Sequence, residues 1–263
     1  MTARPTVVPD AIATLRDHYR LAADRATREI VDEGRTPAKA EEIAAIAAQY
    51  ADREVADWRR RPDAPAGLAC RSGCSSCCHV QVSATIPEVI LIAGTLLDDR
   101  EPDDLARLRD RVERHGRVLR GVFGAERGRL GQPCPLLDDE GGCSIHEVRP
   151  LTCRGWNSLD VSRCHAVLAD PHAGVEVPTD PVQRTIAQAI ALGTQAGLRA
   201  RGLQHGAVEL IAAVRIVLDD PDAVDRWLAG EPAFADAELA AVDPEVHQIE
   251  VAFLGRPPVA PEG

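Results

Sequence analysis

All eight cysteines of the chain, Cys70, Cys74, Cys77, Cys78, Cys134, Cys143, Cys153 and Cys164, lie between residues 70 and 164, and none lies outside that stretch. Four of them crowd into "CRSGCSSCC". The gap Cys74-x-x-Cys77 lets two thiols converge on one ion from a single turn of chain. More distant thiols then complete the shell and tie loops together. Zinc and iron–sulfur clusters both favour thiolates in fours, so eight thiols fill two such sites or one site with spares. Adjacent residues such as Cys77 and Cys78 project their Cβ atoms in diverging directions. One can face a first metal while the other reaches a second site or packs as a small hydrophobe. Spacing alone does not pair the eight.

The redox setting bears on that reading. The opening "MTARPTVVPDAIATLRDHYR" has no apolar signal region, and no stretch is long enough to span a bilayer. A cytoplasmic protein with no membrane partner is expected, and in a reducing compartment clustered thiols serve metals more readily than disulfides. The formal charge of −11 argues against a nucleic-acid partner, which calls for a basic face.

Cysteine usage divides the chain into three regions, 1–64, 65–168 and 169–263. The first reads as two helices, with Ile12, Leu15, Tyr19, Ala22, Ala26 and Ile30 in helical register, then Ile43, Ala47, Tyr50 and Trp58 after the break at "DEGRTP". "RRRPDAPAGLA" connects them to the cysteines. Within the second region, Thr85-x-x-Glu88 is a capping box with Pro87 in the first turn. Ile86, Val89, Ile90, Ala93, Leu96 and Leu97 follow as its stripe. Another helix starts near Pro102, with Leu105, Leu108, Val112, Leu119 and Val122 on one face. The Pro- and Gly-rich segment after it forbids a long helix, and "LLDDEGGCSI" suggests a short hairpin at Gly-Gly. The third region is helical again, through Val182, Ile186, Ala189, Ile190 and Leu198, then Val208, Ile211, Val214 and Leu218, then "PDAVDRWLAG". The tail "GRPPVAPEG" is expected to be disordered. The expected fold is mainly α, with helical N- and C-terminal regions around a cysteine-rich, metal-stapled irregular module.

"CRSGCSSCC" followed by "PCPLLDDEGGCSIHEVRPLTCRGW" resembles the bacterial cysteine-cluster family, also called YkgJ-like, described as a zinc- or iron-chelating domain. The likeness spans residues 70 to 165 and takes in all eight cysteines with Glu88, Arg149 and Pro150. The family pattern is written CxxCxxCC, whereas the first gap here is three residues. The resemblance implies chelation of zinc or iron by these cysteines and assigns no reaction. A related cluster accompanies a flagellin-lysine methylase, but this chain carries no methyl-donor or nucleotide signature.

Other chemistries fit less of the chain. Cys70-x3-Cys74-x2-Cys77 is also the spacing of radical S-adenosylmethionine enzymes, whose alternating strand–helix barrel is missing from the pattern here. A thioredoxin-like pair at Cys74 and Cys77 calls for a neighbouring βαβ unit. An iron–sulfur electron carrier uses the same four-cysteine set as zinc and stays open, with group transfer as the enzymatic variant. His79, His146 and His165 each adjoin a cysteine and are candidates to replace a thiolate, while His115 falls on an apolar stripe and reads as core. Arg71, Arg149, Arg154 and Arg163 lie within four residues of a cysteine and are candidates to offset thiolate charge. Trp58, Trp156 and Trp227 read as core anchors.

Overall fold

The computed structural model describes residues 9–71, 73–122, 124–170 and 172–239. The tail at 255–263 lies outside them. Ten helices are present among the described residues: α1 (Pro9–Glu33), α2 (Pro37–Arg59), α3 (Ile86–Asp98), α4 (Pro102–Val118), α5 (Gly124–Arg129), α6 (Leu151–Gly155), α7 (Val161–Ala169), α8 (Pro181–Ala200), α9 (Leu210–Asp219) and α10 (Ala223–Leu228). The fold is mainly α. Its one small sheet pairs β1 (Ser83–Ala84) antiparallel with β2 (Val208–Glu209), Ser83 opposite Glu209 and Ala84 opposite Val208.

The helix starts follow capping chemistry. Thr36 accepts from the Lys39 N–H ahead of Pro37, and Asp180 accepts from the Val182 N–H ahead of Pro181. At α3 the Thr85 N–H donates to Glu88 Oε2 at 2.7 Å, the reciprocal half of the capping box.

The first layer is α1, α2 and α8. α1 and α2 form an antiparallel pair, joined by Tyr19 Oη donating to Glu54 at 3.0 Å. α8 runs parallel to α1 at very short range. A Cβ at Gly193 would sit 2.2 Å from the Arg20 carbonyl oxygen, and one at Gly197 would sit 2.6 Å from Thr27 Cβ. Only glycine admits a backbone this close. This crossing explains a shift from the sequence pattern: Ala23 and Thr27 are buried, while Ala22 and Ala26 are half-buried. The α1 face is set by where α8 can approach most closely.

In the second layer α3 packs against α2, and α9 packs against α3 and α4, around Val89, Ile92, Leu96, Leu108, Val214, Trp227 and Phe234. Leu97, assigned by periodicity to the α3 stripe, is 40% exposed. Its 100° offset from Leu96 turns it out of the apolar face. Val208 is buried as expected but on β2, one turn ahead of α9.

The expected hairpin at Gly-Gly contracts to a single antiparallel bridge, Leu137 to Cys143. Asp138 Oδ1 accepts from the N–H groups of Glu140 and Gly142 at 3.0 and 2.7 Å. That side-chain turn closes the loop before strands extend.

Candidate metal centre

The "CRSGCSSCC" segment is shaped by local turns. The Cys74 N–H donates to the Arg71 carbonyl at 3.0 Å, and Gly73 takes φ +77°, a conformation L side chains rarely adopt. Cys70 and Cys74 face the same side. Residues Ser76–His79 then form a short 3₁₀ turn. Within it the Cys77 and Cys78 thiols are hydrogen-bonded to each other.

Opposite this segment stands the stretch from α6 to α8. The Ala69 N–H donates to the Ser158 carbonyl at 2.8 Å, stitching the two together just ahead of Cys70. Asn157 donates to the Gly155 and Asp180 carbonyls and accepts from the Asp180 N–H at 2.6 Å. The Asp180 carboxylate accepts from Trp58 Nε1 at 2.7 Å, so α2, the start of α8 and this loop meet at one residue. Gln183 adds a bond to the Arg154 carbonyl at 2.7 Å.

Between the two walls lies a cavity of about 40 Å³, lined by Cys70, Cys74, Cys77 and Cys164 together with Trp156 and Arg184. That volume accommodates an ion or a water, not a metabolite. Cys164 reaches it from the first turns of α7, where its thiol donates to the Asp160 carbonyl at 3.8 Å. The other cysteines sit nearby. Cys134, Cys143 and Cys153 pack half-buried against the main core, and the Cys134 N–H donates to the Cys78 carbonyl at 2.7 Å.

All eight thiols are free. Among the described residues no three Cys, His, Asp or Glu side chains already stand at ligating geometry. Burial raises the Cys70 thiol above its ordinary value, with neighbouring charge at Cys77, Cys74 and Cys164 adding to it. A hydrogen bond with Cys78, then burial, pushes Cys77 well up. Burial also raises Cys143, Cys153 and Cys164, and lifts Cys134 to about 12. These thiols are held protonated until a cation enters, and a divalent ion replaces mutual repulsion with attraction. The donor chemistry fits a thiophilic ion or an iron–sulfur cluster. A thioredoxin-like pair needs a lowered thiol, whereas Cys77 is pushed well up.

Of the arginines singled out by sequence, Arg149 lies beside Cys153 and Cys143. Arg154 is buried and clasps Asp52 and the carbonyls of Glu147 and Arg149, so its role is to hold α6. Arg71 and Arg163 are exposed. Sequence proximity misses two others. Arg184 lines the cavity from α8, and buried Arg127 lies near Cys134 while pairing with Glu209 at 2.8 Å. Neither lies within four residues of a cysteine in the chain. His79 Nδ1 is 3.1 Å from the Ser75 carbonyl, and His146 and His165 are exposed. None of the three lines the cavity. His115 is buried, as its stripe requires. Trp156, read from sequence as a core anchor, packs against the core and also forms cavity wall.

Glu88 is the buried carboxylate that joins the module to the fold. Its Oε1 accepts from the Leu151 N–H at 2.6 Å, fixing the start of α6 and hence Cys153 against α3. Burial raises its carboxyl, countered by those N–H donors.

Residues 69–167 match the CxxCxxCC family, described as "putative zinc- or iron-chelating domain". No curated protein and no solved structure matches the chain. On that match, joined to the clustering of its thiols, the central segment of this chain is similar to the CxxCxxCC family.

Proposed function

We propose that the protein is a cytoplasmic metal-binding protein that chelates zinc or iron through Cys70, Cys74, Cys77, Cys78, Cys134, Cys143, Cys153 and Cys164. Residues 65–168 act as the metal-binding module, and regions 1–64 and 169–263 serve as its helical supports. The observation that carries this reading is the ion-sized cavity lined by four thiols from two distant stretches of chain. Four thiolates around a divalent ion leave negative charge, and Arg184 and Arg149 stand where that charge would develop.

Anaerobic purification, a visible spectrum and metal analysis test it. Colourless protein with stoichiometric zinc supports chelation of a redox-silent ion. A brown protein with iron and sulfide supports the cluster form and opens redox or group-transfer chemistry. Bound metal per chain is expected to fall in a Cys74→Ser/Cys77→Ser double variant. Metal content unchanged by that variant overturns the ligand assignment.

A further inference from the structure

We propose that the eight thiols divide into two adjoining four-thiolate centres. Cys70, Cys74, Cys77 and Cys164 form one; Cys78, Cys134, Cys143 and Cys153 form the other. This division rests on the metal-binding reading above and says which thiols share an ion.

Two observations separate the sets. The cavity is lined by all four thiols of the first set and by none of the second. Within the 3₁₀ turn at Ser76–His79 the Cys77 and Cys78 thiols are hydrogen-bonded to each other, so this pair is where the two sets meet. Finally, the Cys78 backbone is bonded to the loop that carries the second set. Its carbonyl accepts from Cys134, whose own carbonyl accepts from the Leu137 N–H at 3.1 Å, and Leu137 is bridged to Cys143. Cys134 and Cys143 thus flank one closed loop, and Cys153 follows on α6 with Cys134 and Cys143 among its charged neighbours.

The cations are divided in the same way. Arg184 stands on the first cavity, while Arg149 is beside Cys143 and Cys153, and Arg127 is near Cys134. Each zinc ion entering a set displaces four thiol protons and leaves a centre of charge −2, which a nearby guanidinium offsets. Cys77 is also close to Cys143 and Cys153, so the centres abut at the Cys77–Cys78 peptide.

The test is titration of the reduced full chain with zinc and with cobalt(II), followed by native mass spectrometry and the cobalt–thiolate absorbance. Two ions per wild-type chain are expected. Cys164→Ser and Cys143→Ser are each expected to bind a single ion with wild-type affinity, and the double variant none. Far-UV circular dichroism checks that each variant is folded. One ion per wild-type chain, or loss of both ions from either folded single variant, overturns the division while leaving chelation intact. A wild-type chain that binds no zinc, cobalt or iron overturns the metal-binding reading itself. Should a serine variant fail to fold, the wild-type break point at one or two equivalents decides alone.

Discussion

The α1–α2–α8 layer and the cysteine module are held together by different forces. In the helical layer, Ala23, Ala47, Ala51, Ile186 and Ile190 interdigitate around a crossing set by Gly193 and Gly197. Its rigidity comes from apolar burial and needs nothing further. The module has few regular elements between Arg59 and Ile86 or between Arg129 and Leu151. Single hydrogen bonds fix it: Ala69 to Ser158, Cys134 to Cys78, Leu151 to Glu88. Its thiols are gathered but mutually repulsive once ionised. A region of this kind is ordered by its neighbours and completed by a ligand, whereas the layer beside it is complete by itself.

Metal removal should break this contrast most strongly. Structural zinc sites supply apparent energies of about 10–16 kcal/mol, so chelation should lower the unfolding midpoint. Trp156, on the cavity wall, should change fluorescence while most far-UV helicity persists. An unchanged midpoint places the stability of the module in its protein contacts alone. The reverse experiment is Gly193→Leu, which forces a side chain into the Arg20 carbonyl. A loss of about 3 kcal/mol in urea unfolding is expected, with metal content per folded chain retained. Metal lost in proportion to stability would tie the two regions into one unit.

Acid should weaken the second layer through His115. Burial, aided by Arg127, lowers its imidazole from 6.5 to about 4. As pH falls from 6.5 toward 4, the unfolded chain takes up a proton that the folded chain refuses, so stability drops. Below 4 both forms are protonated and the loss stops. The full shift corresponds to about 3 kcal/mol. Buried Glu88 acts in the opposite sense, since its raised carboxyl favours the fold on acidification. Denaturation midpoints of wild type and His115→Gln across this window isolate the histidine. Parallel pH profiles would refute its contribution.

Smaller effects sharpen the contrast at the seam. Asp180→Ala removes the α8 cap and the Trp58 bond, and about 1–2 kcal/mol of stability should go with them. The Asn157 loop is bonded to the Asp180 backbone, which the substitution keeps, so zinc affinity should be retained, read by competition with a chelator. Gly73→Ala should cost about 1 kcal/mol, from strain at positive φ. Its effect on zinc affinity should exceed its effect on the midpoint. If affinity is untouched, the turn at Gly73 does not set the position of Cys70.

The two regions also differ in how well the sequence reveals them. Periodic apolar residues locate α1, α2, α3, α4, α8 and α9, and Thr85-x-x-Glu88 identifies the start of α3, because these depend on interactions within a few residues. Local pattern fails at Ala22 and Ala26, where the approach of α8 chooses Ala23 and Thr27 instead. It fails at Leu97, and at the Gly-Gly hairpin, where one Asp138 side chain closes the loop early. Nothing in the sequence pairs residues 83–84 with 208–209, since that sheet joins segments more than a hundred residues apart.

At the thiols the boundary is equally clear. The presence of a thiol cluster and its soft-metal chemistry follow from composition and spacing, because Cys74-x-x-Cys77 and its downstream partners carry that chemistry in any arrangement. The surroundings follow only from the fold. Cys164 joins Cys70, Cys74 and Cys77 because α7 docks against the 3₁₀ turn, and Arg184 reaches the cavity because α8 packs behind α6. Spacing fixes what neighbouring residues can do; only long-range packing decides which distant ones they meet.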